Sequence, residues 1–170
     1  MPTDNGADMP RIAGWREWAA LPGLGIPFIK AKLDTGARTS TIHTFFVERR
    51  RAHGRDRVRF GLHPLQRRAS PEIICEADLL DARMVSDSGG HRERRYIIET
   101  PIRLGDEEWR IEASLTDRES MLFRMLLGRT AIKNRFAVDP ARSYVFGRRR
   151  RREIRTAYEA ATIQESRSSD

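Results

Sequence analysis

The chain has 170 residues and a net charge of +8, from 32 basic and 24 acidic side chains. This length allows one good hydrophobic core, and no linker or repeat divides the chain. The single cysteine excludes an internal disulfide, and no segment has the pattern of a signal peptide or the length of a membrane span. These features predict a cytoplasmic, one-domain protein with no membrane partner.

Composition divides the chain into three parts. Residues 1–10 are polar with proline and glycine, which predicts a disordered lead-in. Residues 11–147 are predicted to form the domain, and residues 148–170 a basic, flexible tail in which 154–163 is a candidate short helix. The tail begins with the arginine run Arg148–Arg152, which could contact nucleic acid. That partner is not favoured, because no RNA-recognition or helix-turn-helix signature accompanies the run.

The first predicted strand ends at the most informative motif of the sequence. Polar and apolar residues alternate from Phe28 to Leu33, which is the period of two expected for a half-buried strand. Asp34-Thr35-Gly36 follows directly. An aspartate can serve as acid or base, a threonine hydroxyl can bond to nearby backbone, and glycine lets the main chain pass close to a substrate.

Strands dominate the middle of the chain. Alternating patterns predict strands around residues 57–62 and 109–115, and Gly105-Asp106 predicts a hairpin turn before the second of them. Short strands at this spacing favour a closed or nearly closed barrel.

A second apolar run follows about ninety residues after the Asp34 motif. Met125–Leu127 is closed by Gly128 and Arg129, residues 129–135 are predicted as a short helix, and residues 136–138 as a returning strand.

Several motifs, in one order, resemble the retropepsin-like aspartic peptidases. The similarity is greatest to a bacterial branch often labelled "ATP-dependent zinc protease" and associated with glutamate ligases that modify a ribosomal protein. The resemblance implies a mainly β fold, a closed retropepsin-like barrel with one short α-helix after Gly128. The matching segments are residues 14–17, 30–40, 63–66, 87–95, 123–129 and 138–144.

The resemblance also implies which residues form the catalytic loop. Asp34, Thr35 and Gly36 would be catalytic, with the Thr35 hydroxyl bracing a pair of facing Asp34 carboxylates in a homodimer. The segment Leu127-Gly128-Arg129 would pack behind the loop as structural support.

Residues after the triplet are predicted to contact substrate. Ala37 leaves room for it, and Arg38 would either hold a substrate carboxylate or pin the loop to an acid such as Glu17. Ser40 and His43 lie three residues apart, but no oxyanion donor or acidic partner accompanies them, so a serine nucleophile is not favoured.

The zinc and ATP in the family label have little support in this sequence. No phosphate loop of the form GxxxxGK[ST] occurs, and neither HExxH nor CxxC is present. We therefore predict no metal and no cofactor, although a dispersed zinc site built by folding stays open. The candidate ligands for such a site are His43, His53, His63, His91 and Cys75.

Residues 83–98 predict a long hairpin with a glycine-rich tip. In retropepsins such a hairpin covers the cleft as a flap, so Ser88, Gly89, Gly90, Glu93 and Arg95 are predicted to contact substrate. The many charges of the hairpin favour a substrate with carboxylates. The alternative is an ordinary surface hairpin.

Peptide hydrolysis of this type needs two facing carboxylates that share a proton. The chain has one Asp-Thr-Gly triplet, so a homodimer would supply the second Asp34 across a twofold axis. The alternative is a monomer that uses Asp87 or Asp117.

The function predicted from the sequence is that of an aspartic endopeptidase acting on a peptide or protein substrate, with acidic peptides favoured. Two alternatives stay open, a zinc-dependent hydrolase and a non-catalytic module that binds acidic peptides or RNA on the same fold.

Overall fold

The structure is a computed structural model that describes residues 9–117 and 121–168. Most of the predicted disordered lead-in, residues 1–8, lies outside the described residues. A short 3₁₀ helix covers Pro22–Leu24. The strands are β1 (Arg11–Gly14), β2 (Arg16–Leu21), β3 (Ile26–Asp34), β4 (Ser40–His43), β5 (Phe46–Ala52), β6 (Arg55–Leu62), β7 (Ile73–Asp78), β8 (Asp81–Ser86), β9 (Arg92–Leu104), β10 (Glu107–Thr116), β11 (Met125–Gly128) and β12 (Phe136–Asp139), and the helices are α1 (Arg129–Ile132) and α2 (Arg151–Ser168).

Six strands pair into a closed ring in the order β10, β4, β11, β3, β2 and β9, and β9 pairs again with β10. The pairs β10–β4 and β11–β3 are parallel, while the other pairs of the ring are antiparallel. The ring confirms the mainly β prediction. The predicted Gly105-Asp106 turn joins β9 to β10, and Gly105 has the positive φ of +62° that such a turn favours.

The ring encloses the hydrophobic core. Along β3, Ile29, Ala31 and Leu33 are buried and their neighbours are more exposed, as the alternating pattern predicts. Ile42 of β4 and Leu127 of β11 are fully buried on the adjoining strands. Each such side chain contributes roughly 1.5–3 kcal/mol relative to leaving it in water, so the core holds β3 and β11 together.

A second sheet of three antiparallel strands, β5, β6 and β7, is inserted between β4 and β8. Val58, Phe60 and Leu62 of β6 are fully buried against the ring, which confirms the strand predicted there. The outward side chains include cross-strand ion pairs, Arg50 with Glu76 and Arg57 with Asp78. Together with the pairs of Arg49 with Asp56 and of Arg55 with Asp78, they give four of the six arginines of β5 and β6 a carboxylate partner.

Cys75 of β7 points into the core beneath this sheet. Burial raises the pKa of its thiol to about 12, and its Sγ donates to the carbonyl oxygen of Leu24 at 3.5 Å. The thiolate, and not the neutral thiol, attacks iodoacetamide. We therefore expect the native protein at pH 8 to react with iodoacetamide at least about a hundredfold more slowly than the protein in 6 M guanidinium chloride, as measured by intact-mass spectrometry. Fast labelling of the native protein would show that β7 opens readily.

Helix α2 covers most of the segment predicted as a flexible tail and includes the candidate short helix 154–163. Ile154 and Tyr158, four residues apart and therefore on one face, are buried, and the Tyr158 hydroxyl donates to the carbonyl oxygen of Phe28 in β3. Burial raises the pKa of Tyr158, which keeps this donor protonated. These contacts fix a helix whose own apolar face is thin. No helix in the described part of the chain is long and apolar enough to cross a membrane.

Candidate active site

The Asp34 loop connects β3 to β4 and lies beside the end of β11. The parallel pairing of β3 and β11 places Leu33 opposite Leu127 and Asp34 opposite Gly128. The two apolar runs predicted from the sequence are therefore neighbouring strands, and they end at the same level.

The Asp34 carboxylate is held by the backbone of its own loop. Its Oδ1 accepts hydrogen bonds from the amide groups of Gly36 at 3.1 Å and Ala37 at 3.3 Å. Among the described residues, Oδ2 has no hydrogen-bond partner, and the side chain is only half-buried. One oxygen thus orients the carboxylate, while the other can face a water molecule or substrate.

Gly128 packs directly behind the loop. A Cβ atom at this position would lie 2.6 Å from the carbonyl carbon of Thr39 and 2.8 Å from the nitrogen of Ser40, so only glycine fits. Its amide group donates to Ser40 Oγ at 3.0 Å. Ser40 is fully buried and serves this structural bond, a role that the sequence analysis missed.

The first residues of α1 hold the other side of the loop. The amide group of Arg129 donates to the carbonyl oxygen of Ala37 at 2.7 Å, and its guanidinium group donates to that of Thr35 at 3.3 Å. Thr130 donates to the carbonyl oxygen of Arg38 through its amide group at 3.2 Å and its hydroxyl at 2.9 Å. Thr130 was also missed, since a threonine after a glycine and an arginine carries no local signal.

Arg38 has a fixed backbone and an exposed side chain. It lines an open groove together with Arg83, Arg110 and Glu112. Glu17 is not its partner, because Glu17 is fully buried and its Oε1 accepts the amide groups of Gly14 at 3.2 Å and Val145 at 2.6 Å. The alternative that Arg38 pins the loop to Glu17 is therefore wrong.

Strands β8 and β9 form the hairpin that the sequence predicts. Its tip is closed by Asp87, whose Oδ1 accepts the amide groups of Gly89 and His91, both at 2.9 Å. Ser88, Gly89 and Gly90 are exposed. Within the described residues, no hydrogen bond or ion pair joins these three to the Asp34 loop, so their contact with substrate stays a prediction.

Glu93 and Arg95 lie on β9, beside β10. Their side chains form an ion pair, and Thr116 of β10 donates to Glu93 Oε1 at 3.0 Å. Thr116 pairs with His43, at the far end of β4 from Ser40 and Gly128. The structure therefore groups Glu93 and Arg95 with each other and not with Asp34, Thr35 and Gly36.

The same geometry bears on the two alternative carboxylates. Asp87 holds the hairpin tip, and Asp117 follows Thr116 at the end of β10 away from Gly128. Among the described residues, no hydrogen bond or strand pairing joins Asp87 or Asp117 to the Asp34 loop.

The candidate zinc ligands are dispersed. His63 stacks on Phe45 with ring centroids 4.5 Å apart, and His91 lies at the exposed hairpin tip. Across residues 9–117 and 121–168, no group of three or more His, Cys, Asp or Glu residues has the geometry to hold a metal ion.

Comparisons with known proteins agree with this geometry. The family model described as "Retropepsin-like aspartic endopeptidase RimB" matches residues 12–149. A "Probable alpha-L-glutamate ligase" of Shewanella pealeana is 41% identical over 160 residues, covering 94% of this chain and 35% of that protein. A protein of the same description from Parasynechococcus marenigrum is 42% identical over 147 residues, covering 86% and 32%. The chain thus spans about a third of the length of these relatives.

A solved structure is also similar. A Legionella pneumophila protein of unknown function superposes with a TM-score of 0.68 at 28% sequence identity, covering 81% of this chain and 98% of that one. Nearly all of that solved chain therefore superposes on the domain described above.

Proposed function

The chain belongs to the RimB-like family of retropepsin-like aspartic endopeptidases, and from this membership we propose that it hydrolyses peptide bonds with Asp34 as a catalytic carboxylate. The observation that carries the proposal is the Asp34 loop. Backbone amide groups fix one carboxylate oxygen, Gly128 and α1 hold the loop from behind, and the other oxygen is accessible.

The second carboxylate is proposed to be Asp34 of another copy of the chain. Thr35 and Gly36 are exposed, so the outer side of the loop is available to a twofold partner. When two carboxylates face each other, their repulsion favours a single shared proton. The ionised carboxylate then takes a proton from the attacking water, and the protonated one donates to the carbonyl oxygen of the scissile bond.

We propose an acidic peptide that contains glutamate as the substrate class. Arg38 follows the Asp34 loop, and its side chain lines a groove with Arg83 and Arg110. Arg83 and Arg110 already pair with Glu112 and Glu99, so Arg38 is the cation proposed to hold a substrate carboxylate. A guanidinium group can hold a carboxylate by two parallel hydrogen bonds. The relatives described as glutamate ligases are consistent with a substrate that carries glutamate.

The test combines cleavage with oligomeric state. The protein is incubated with a diverse peptide pool that includes glutamate-rich members, from pH 4 to 8, with and without a chelator, and products are read by mass spectrometry. We expect the rate of cleavage to be the same with and without the chelator. We also expect the specific activity to rise with protein concentration, in parallel with the dimer fraction measured by analytical ultracentrifugation.

Three results would contradict parts of this proposal. Loss of cleavage with chelator would indicate a zinc-dependent hydrolase. Full specific activity in a monomer would exclude the shared site. No cleavage at any pH would argue against a peptidase.

A further inference from the structure

One face of the molecule combines aromatic rings with positive charges outside the Asp34 loop. It is formed by Arg16 and Trp18 from β2, Phe28 and Lys30 from β3, and Tyr144, Arg148 and Arg149 from the segment before α2. We call these seven residues the basic aromatic face. The proposed peptidase function uses none of them.

Strand geometry brings these residues together. Trp18 pairs with Lys30, and the amide group of Tyr144 donates to the carbonyl oxygen of Arg16 at 3.0 Å. The rings of Trp18 and Tyr144 stack with centroids 6.3 Å apart, and Phe28 meets Trp18 edge to face at 6.1 Å. All three rings are only partly buried. The result is an aromatic surface that solvent can reach.

The cations lie over these rings. Lys30 Nζ is 5.2 Å from the centroid of Trp18, and the guanidinium groups of Arg16 and Arg148 are 5.1 Å and 5.4 Å from that of Tyr144. Such contacts orient the side chains without neutralising their charge. The face therefore presents oriented positive charges next to π surfaces.

The charge of this face is largely uncompensated. Within the described residues, Arg16, Lys30 and Arg148 form no ion pair, and Arg149 alone has one, with Glu153 at 3.0 Å. In the three-stranded sheet, by contrast, four of the six arginines of β5 and β6 are paired with carboxylates, namely Arg49, Arg50, Arg55 and Arg57. A high local density of unpaired cations attracts a polyanion.

We propose that the basic aromatic face binds single-stranded nucleic acid. Phosphates would contact the unpaired cations, and bases would stack on the aromatic rings and on the outer sides of the guanidinium groups. An acidic peptide would contact only the cations and would gain no stacking on the solvent-exposed parts of the rings. The rings therefore favour nucleic acid over an acidic peptide.

The sequence alone does not show that the residues of the basic aromatic face lie together. Arg148 and Arg149 belong to the arginine run noted in the sequence, but Trp18 and Lys30 are more than a hundred residues away. Only folding places them together. The docking of α2 onto Phe28 through Tyr158 then holds the end of the run at β3.

The test measures binding of the full chain to a fluorescein-labelled single-stranded RNA of 12 nucleotides, and to the same sequence as DNA, by fluorescence anisotropy. With about four cations engaged, we expect log Kd to rise with log salt concentration with a slope of about 3. The double variant Lys30→Glu, Arg148→Glu should bind at least tenfold more weakly. The matched control Arg51→Glu, Arg55→Glu makes the same charge change on β5 and β6 and should bind less than threefold more weakly.

A second variant separates stacking from charge. Trp18→Leu should weaken binding at least threefold with an unchanged salt slope, and its thermal melt shows whether it is folded. Asp34→Asn should bind the RNA as tightly as the wild type does, because Asp34 lies outside the basic aromatic face. The binding result is therefore independent of whether the protein is a peptidase. The proposal is overturned if nucleic acid does not bind, if the control loses as much as the test variant, or if oligoglutamate of equal length binds more tightly than RNA.

Discussion

Replacing Asp34 by asparagine will lower peptide hydrolysis by at least about 10³-fold and leave the fold unchanged. The asparagine Oδ1 can still accept the amide groups of Gly36 and Ala37, so the loop keeps its shape. The amide group cannot take a proton from water, however, and this removes the acid–base step of the proposed mechanism. Initial rates on the best peptide of the pool, with circular dichroism and thermal melts of both proteins, measure the effect.

Asp87→Asn is the matched control for this variant. Its Oδ1 also accepts two backbone amide groups, from Gly89 and His91, and the substitution removes the same charge. Activity within about threefold of the wild type would support the homodimer as the source of the second carboxylate. Equal loss in both variants would instead assign that role to Asp87 within one chain.

Gly128→Ala will destabilise the protein by about 3 kcal/mol or more, which lowers the melting temperature by about 6 °C or more. The new methyl group would meet the backbone of Thr39 and Ser40 at 2.6–2.8 Å, and backbone atoms cannot rotate away as side chains do. The clash would push the Asp34 loop away from β11, so we also expect loss of activity in whatever fraction stays folded. Urea denaturation followed by tryptophan fluorescence gives the free energy of unfolding.

Gly89→Ala provides the comparison for Gly128→Ala. The nearest atom to a Cβ at position 89 is Asp87 Oδ1 at 3.4 Å, and the backbone there needs no positive φ. We expect a change in stability below about 1 kcal/mol. A similarly small effect at position 128 would mean that the loop and β11 are not tightly packed.

The strands that carry the site could be predicted from local patterns. The alternation before Asp34 predicts β3, because one side of that strand is buried in the core. The apolar run before Gly128 predicts β11, because most residues of that strand are buried. Their pairing is a long-range contact, which strand patterns do not contain. The resemblance to a known family implied that the second run packs behind the loop, and the parallel pairing itself comes from the structure.

Other parts of the fold depend on contacts that no local pattern shows. The charged sequence of β5, with Arg49 and Arg50 in succession, is a strand because it pairs with β6 and forms ion pairs across the sheet. Helix α2 has a thin apolar face and depends on the carbonyl oxygen of Phe28, which lies about 130 residues earlier. The side chains of Ser40 and Thr130 act through hydrogen bonds to backbone atoms that are distant in sequence, those of Gly128 and Arg38.

The closed ring also limits how the protein can hold an extended peptide. Each of its six strands pairs with neighbours on both sides, so a substrate cannot lengthen the ring as an added strand. Strand β8 is different, because it ends the sheet order with β9 on one side only. Within this sheet, a peptide captured by β-augmentation would therefore align along β8, whereas β5 and β7 are the edges of the separate three-stranded sheet. Backbone hydrogen bonds are common to all sequences, so discrimination between substrates would depend on the side chains near the bound peptide.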